Sequence, residues 1–156
     1  MHYQEMRILV LVMYMKNSKE ILSSVLKTTQ MGQVGIRSVL DTSMRSSLRK
    51  ALEDQLHEYD SIETEAHTIA CQRGWELPEL DPSVRFMADM MTRMKLTGKN
   101  TDSKIAGMMI QGNTKGMITG LKNLHQFPGK DERIRVLSQK LLDCETANIQ
   151  QMQSYL

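Results

Sequence analysis

A chain of 156 residues with 40% apolar content supports one domain with a real core and is too short for two ordinary ones. Aromatics are only 4%, which argues against a β-sandwich and against a stacking platform for single-stranded nucleic acid. Lys+Arg 20 against Asp+Glu 18 leaves a net charge of +2 without a basic block, so no nucleic-acid partner is expected.

The N-terminal segment, residues 1–17, contains one apolar run from Ile8 to Met15. It falls far short of the roughly 20 residues that cross a bilayer, so no membrane span is expected. A signal-peptide core behind Arg7 is disfavoured, because Lys16-Asn17-Ser18-Lys19-Glu20 follows without a small-x-small cleavage site. Two readings stand. In one, the true start is Met13 or Met15 and the residues before it are a loose extension. In the other, they form a short β-like or helical lead-in packed on the domain.

The domain proper is predicted over residues 18–156. From Ser18 to Leu40 the apolar positions Ile21, Leu22, Val25, Leu26, Ile36, Val39 and Leu40 have helical spacing, with Gly32 and Gly35 on the same stripe. Asp41-Thr42-Ser43 breaks the pattern and offers caps for a second helix, Met44 to Arg73. Its stripe is Leu48, Leu52, Gln55, Tyr59, Ile62, Ala66 and Ile69, closed by Gly74. A crossover over residues 74–102 follows, with a loop holding Trp75, Pro78 and Pro82. A short helix from Ser83 to Leu96 lies within it, on a stripe of Val84, Met87, Met91 and Met94 beside Met90. A third long helix is predicted from Lys104 to Gln126, on Ile105, Met109, Gly112, Gly116 and Gly120. Pro128-Gly129 then turns the chain into a fourth, from Asp131 to the end, on Ile134, Leu137, Leu141, Leu142, Glu145, Ile149, Met152 and Leu156. Four long amphipathic helices in two antiparallel hairpins, joined by one long crossover with a short extra helix, describe an all-α, ferritin-like four-helix bundle.

The two hairpins resemble each other. Gln30-Met31-Gly32-Gln33-Val34-Gly35-Ile36 lines up with Gln111-Gly112-Asn113-Thr114-Lys115-Gly116-Met117, and Ile62-Glu63-Thr64 with Cys144-Glu145-Thr146.

The segments Gln72 to Pro82 (QRGWELPELDP) and Gly35 to Leu40 (GIRSVL) resemble spore coat F-type proteins of Firmicutes. The stretch Met108 to Ile118 (MMIQGNTKGMI) is similar to small uncharacterised ferritin-like proteins of the same bacteria. The resemblance covers roughly Ser18 to Leu156. It implies a ferritin-like bundle, with a role in the spore or its coat, and no particular activity.

Ferritin-like di-metal proteins place a Glu on each of two helices and a Glu-x-x-His on each of the other two. The repeat puts those positions at Gln30 and Gln111, at Glu63 with Ala66, and at Glu145 with Asn148. Two carboxylates and three amides bind a pair of transition metals poorly. One reading keeps Glu63 and Glu145 as a residual metal or proton site, with at most a weak divalent ion. The other takes them as partly buried carboxylates hydrogen-bonded to Gln30, Gln111 and Asn148, the remnant of a lost site. Glu145 lies on an apolar stripe, so it is expected to be protonated or well partnered. Glu63 with His67, and His57 with Glu58 and Asp60, are weaker clusters that read more simply as solvated faces.

Glycine inside a helix costs roughly 1 kcal/mol relative to alanine, so five of them on two helices need a reason. A close crossing of the first and third long helices is one. A ligand or partner helix against that backbone is the other. Seven of the 14 methionines fall between Met87 and Met117. They read as soft filler for an irregular core, as an adaptable binding surface, or as thioether ligands for Cu(I).

Cys71 and Cys144 form no metal or redox motif, and two free thiols suggest a reducing cytoplasm. There is no nucleophile signature and no phosphate loop. The leading expectation is a non-enzymatic bundle with a degenerate di-metal site, a structural or interaction protein that meets a protein partner or a second copy of itself as a dimer, with no cofactor. The alternatives are a residual metal-dependent oxidoreductase on Glu63 and Glu145, and a small-ligand or peptide binder using the Met-rich crossover helix and Trp75.

Overall fold

The computed structural model describes residues 2–14, 16–96, 98–127 and 129–156, with the side chains at 11–14, 86, 87, 90 and 94 left aside. Among the described residues there are six α-helices and no strand: α1 (His2–Tyr14), α2 (Ser18–Val39), α3 (Ser46–Gln72), α4 (Pro82–Lys95), α5 (Thr101–Gln126) and α6 (Glu132–Gln153). No described helix is long and apolar enough to cross a membrane.

The periodicity of the chain accounts for the bundle. Every predicted stripe residue of α3 is buried, from Leu48 to Ile69. The same holds on α2 for Ile21, Leu22, Val25, Leu26, Ile36 and Val39. On α6, Ile134, Leu137, Leu141, Leu142, Glu145 and Met152 are buried, while Leu156 is exposed. The hairpin α2–α3 packs beside the hairpin α5–α6, with α2 meeting α5 and α6, and α3 meeting α6. Helices of 22 to 27 residues give a bundle about 33–40 Å long. Its centre is one apolar cluster to which all four long helices contribute.

Local signals set most helix ends. Asn17 Oδ1 accepts from the Glu20 backbone N–H at 2.9 Å and opens α2. Asp81 Oδ1 accepts from the Ser83 N–H at 2.9 Å and opens α4, whose first residue is Pro82. Gly74 ends α3 at φ +66°, where a side chain is strained. The start of α3 differs from expectation. Asp41, Thr42 and Ser43 do not cap it. Asp102, in the first turn of α5, accepts from the Arg45 backbone N–H at 3.2 Å and pairs with the Arg45 guanidinium at 3.1 Å. The acceptor comes from the other hairpin, which no local pattern shows.

The crossover carries α4 against α2, where Ser38 Oγ and Thr92 Oγ1 share a hydrogen bond at 3.1 Å. Its predicted stripe residues Met87 and Met94, with Met90, lie outside the described side chains. Met15, Thr97 and Pro128 lie outside the described residues altogether. The apolar run near the N-terminus is helical as far as Tyr14 rather than β-like. Over residues 2–10 it is exposed and does not pack on the bundle, as Tyr3, Met6, Ile8, Leu9 and Val10 show. After it, Lys16 fastens the chain to the end of α5. Its backbone N–H donates to Gln126 O at 3.0 Å, and its ammonium donates to Asn123 Oδ1 at 2.9 Å.

Candidate functional site

An open pocket of about 560 Å³ lies between α2 and α5, flanked by α4. Methionine and glycine form much of its walls, with Met31, Gly32 and Gly35 from α2, Met91 from α4, and Met108, Met109, Gly112 and Gly116 from α5, interspersed with hydroxyl side chains such as Ser24, Ser38, Thr92 and Thr119. Tyr59 of α3, Asn113 of α5 and Glu145 of α6 reach it from below. All three are buried, Glu145 to 2% exposure and Asn113 to 7%.

These three polar groups form one hydrogen-bonded set. The Tyr59 hydroxyl is 3.0 Å from Glu145 Oε1 and 3.1 Å from Asn113 Oδ1. It has one proton to donate and two acceptors to serve. Burial raises the Glu145 carboxyl to about 7, against which the hydrogen bond from Tyr59 works only in part. Burial also raises the Tyr59 hydroxyl, with the Glu145 charge acting in the same direction, so it stays protonated. When Glu145 holds a proton, its O–H donates to Tyr59 and Tyr59 donates to Asn113. Every atom in the chain of bonds is then matched. Glu145 Oε2 and Asn113 Nδ2 lie outside it, and neither has a hydrogen-bond partner within the protein.

Two glycines make this arrangement possible. A Cβ on Gly32 would sit 2.6 Å from Tyr59 Cζ, and one on Gly116 would sit 2.8 Å from Glu145 Cδ. The expected tight crossing of the first and third long helices is therefore corrected. These glycines admit side chains from α3 and α6 rather than a neighbouring backbone. Gly35 and Gly112 serve neither purpose, since a Cβ there would meet nothing within 4 Å. Both face the pocket.

The remaining residues of the expected di-metal set are dispersed. Glu63 and Gln30 meet in a second, polar pocket with Arg37 and Arg85, and Glu145 is not part of its lining. Gln30 is half-buried and its Oε1 has no partner. Gln111 is exposed. Asn113 holds the inward position two residues later, and two residues turn a helix by roughly 200°. Asn148 is buried one turn from Cys144, with Nδ2 3.7 Å from its sulfur. The Cys144 thiol donates to Glu58 Oε2 at 3.1 Å. His57 and His67 are exposed, and Asp60 instead accepts from Gln33 Nε2 at 2.8 Å. Among the described residues, no three His, Cys, Asp or Glu side chains gather as metal ligands would.

The pocket's polar floor was only partly visible in the sequence. Tyr59 reads as core from its stripe, and Asn113 is hidden behind the neighbouring glycines. The signal for Asn113 is its place four residues after Met109 and three before Gly116, both inward-facing. Trp75 lies away from the pocket, half-buried against the core with the Arg73 guanidinium 5.1 Å from its ring.

The chain is similar in structure to a DUF305 fragment from Deinococcus radiodurans. The two share 12% identity with a TM-score of 0.69, over 88% of this chain and 93% of the other. No family model and no curated protein matches the sequence. The likeness is one of fold. With the helix order above, it makes the chain an all-α, ferritin-like helical bundle.

Proposed function

We propose that this bundle is a non-enzymatic binding protein whose pocket between α2 and α5 takes a small amphiphile, an apolar chain with an anionic head. The observation that carries the reading is the pair Gly35 and Gly112. Each sits inside a long helix, where alanine would be more stable by roughly 1 kcal/mol. Each has open space where its Cβ would go, and that space belongs to the pocket. Packing within the protein does not account for them, whereas a ligand lying against the backbone does.

The other walls support the same reading. Methionine side chains adapt to an irregular apolar body. The charged groups among the described lining residues are Lys27, Lys95 and Lys115, all exposed, together with the buried Glu145. Lysines at the mouth favour an anionic head there, with the tail pointing inward. The volume lies within the usual range for small-molecule sites.

Decanoate is a direct probe. Burying its nine-carbon tail is worth roughly 7 kcal/mol of transfer free energy. Association and ordering costs offset part of that. Calorimetric titration is expected to show saturable one-to-one binding that weakens with added salt, and weaker binding of decylammonium. Absence of saturable binding by any single-chain amphiphile of eight to twelve carbons would overturn the proposal.

Within the same reading, the di-metal positions are the remnant of a lost site. The resemblance of Gln72 to Pro82 to spore coat F-type proteins supports a spore or coat setting. Immunodetection across vegetative and sporulating cells tests that setting, and equal abundance in both would count against it.

A further inference from the structure

Two polar atoms on the pocket floor have no protein partner, Glu145 Oε2 and Asn113 Nδ2. Their side chains are more than nine-tenths buried and line the same cavity. Leaving a buried polar atom without a partner is costly. Two such atoms lining one cavity point to a ligand that brings the missing bonds.

We infer that the inner end of the ligand carries a neutral group with a hydrogen-bond donor beside an acceptor, of the carboxamide kind, received by Glu145 Oε2 and Asn113 Nδ2. This rests on the pocket reading above and adds the chemistry of the buried end.

The hydrogen-bond directions select the group. Asn113 Nδ2 can only donate. With the Glu145 O–H turned toward Tyr59, Oε2 is the carbonyl oxygen and accepts. A carboxamide answers both, its N–H donating to Oε2 and its C=O accepting from Nδ2. A methyl end answers neither. An ammonium answers Oε2 alone and leaves Asn113 unmatched. A carboxylate answers Nδ2 alone and sets an acceptor against the acceptor Oε2. Gly116 is the structural condition for this floor, because a Cβ there would occupy the space of the Glu145 carboxyl.

The test compares octanoate with the monoamide of octanedioate at pH 6. The two share the outer carboxylate and the number of carbons, and differ at the inner end. Affinities come from calorimetry, and the location of binding comes from the NMR shifts of 13C-labelled methyl groups of Met31, Met91, Met108 and Met109. The monoamide is expected to bind about tenfold more tightly, while moving the same methionine signals. In Asn113→Leu the preference should reverse in favour of octanoate. The comparison on the unaltered protein decides the matter even if that variant folds poorly. Octanoate binding as tightly as the monoamide, or more so, overturns the carboxamide inference and leaves the pocket reading standing. Failure of both probes to bind or to move the methionine signals overturns the pocket reading itself, and this inference with it.

Discussion

Tyr59 on α3 holds Glu145 on α6 through a contact of 3.0 Å in the centre of the bundle. The same hydroxyl reaches Asn113 on α5, so three helices meet at one hydroxyl. The glycines at positions 32 and 116 leave the room for both larger side chains. This joint decides what the pocket can hold and how the fold responds to pH.

The first prediction concerns pH. The Glu145 carboxyl is raised by burial from an ordinary value near 4.5 to about 7 in the folded protein. Between those values the folded state keeps a proton that the unfolded chain has lost. Stability from this group is thus complete below about pH 4.5 and is lost as pH rises toward 7. The whole change is on the order of 3 kcal/mol. Urea midpoints of the protein and of Glu145→Gln should diverge between pH 5 and pH 8, with the variant the more stable at pH 8. Parallel midpoints across that range would remove Glu145 from the account.

Replacing Tyr59 with phenylalanine tests the joint from the other side. The variant leaves Glu145 Oε1 and Asn113 Oδ1 without their shared partner and is expected to cost about 1–3 kcal/mol. It also removes the hydrogen bond that holds the Glu145 value down, so that value should rise above about 7. A 13C-NMR titration of the carboxyl reads this directly, and an unchanged titration would mean that the bond is not formed in solution.

The glycines divide into two classes with opposite outcomes. Gly116→Ala pushes on the Glu145 carboxyl and Gly32→Ala on the Tyr59 ring, so both should destabilise. Gly35→Ala and Gly112→Ala meet open space and should stabilise by about 0.5–1 kcal/mol each. The second pair should also weaken decanoate binding, because the added methyl groups enter the pocket. Thermal melts and calorimetry on the four variants separate the classes.

The two thiols should react at very different rates. Cys71 is exposed, whereas Cys144 is buried. Burial raises the Cys144 thiol, with the neighbouring Glu58 adding to the shift. A disulfide-exchange reagent is expected to label one thiol quickly, and the second only in denaturant. Rapid labelling of both would show that the Cys144 region opens.

Much of the fold is written in helical periodicity. The buried faces of α2, α3 and α6 follow the apolar stripes closely, because each stripe faces a single core. On α5 the stripe mixes glycine with methionine and leaves the facing direction open by one residue. Gly112 reads as inward but is exposed, while its neighbour Asn113 is buried. The internal repeat points to Gln111, two residues before the inward-facing Asn113, and the structure places Gln111 in solvent. A four-residue motif cannot separate such alternatives, since adjacent residues on a helix point about 100° apart. Glu145 was legible because a lone carboxylate on an apolar stripe must be partnered or neutral. Its partners Tyr59 and Asn113 come from other helices, and their meeting is a property of the packed bundle alone.

The clasp between Arg45 and Asp102 bears on the order in which the molecule assembles. Each hairpin is local in sequence and can begin to form by itself. The acceptor for the Arg45 N–H, which leads into α3, however, arrives only when α5 has docked. A peptide spanning residues 16–74 should therefore fray where α3 begins and be less helical than the same segment in the whole chain. Docking the second hairpin finishes the first, which couples the two halves into one cooperative folding unit.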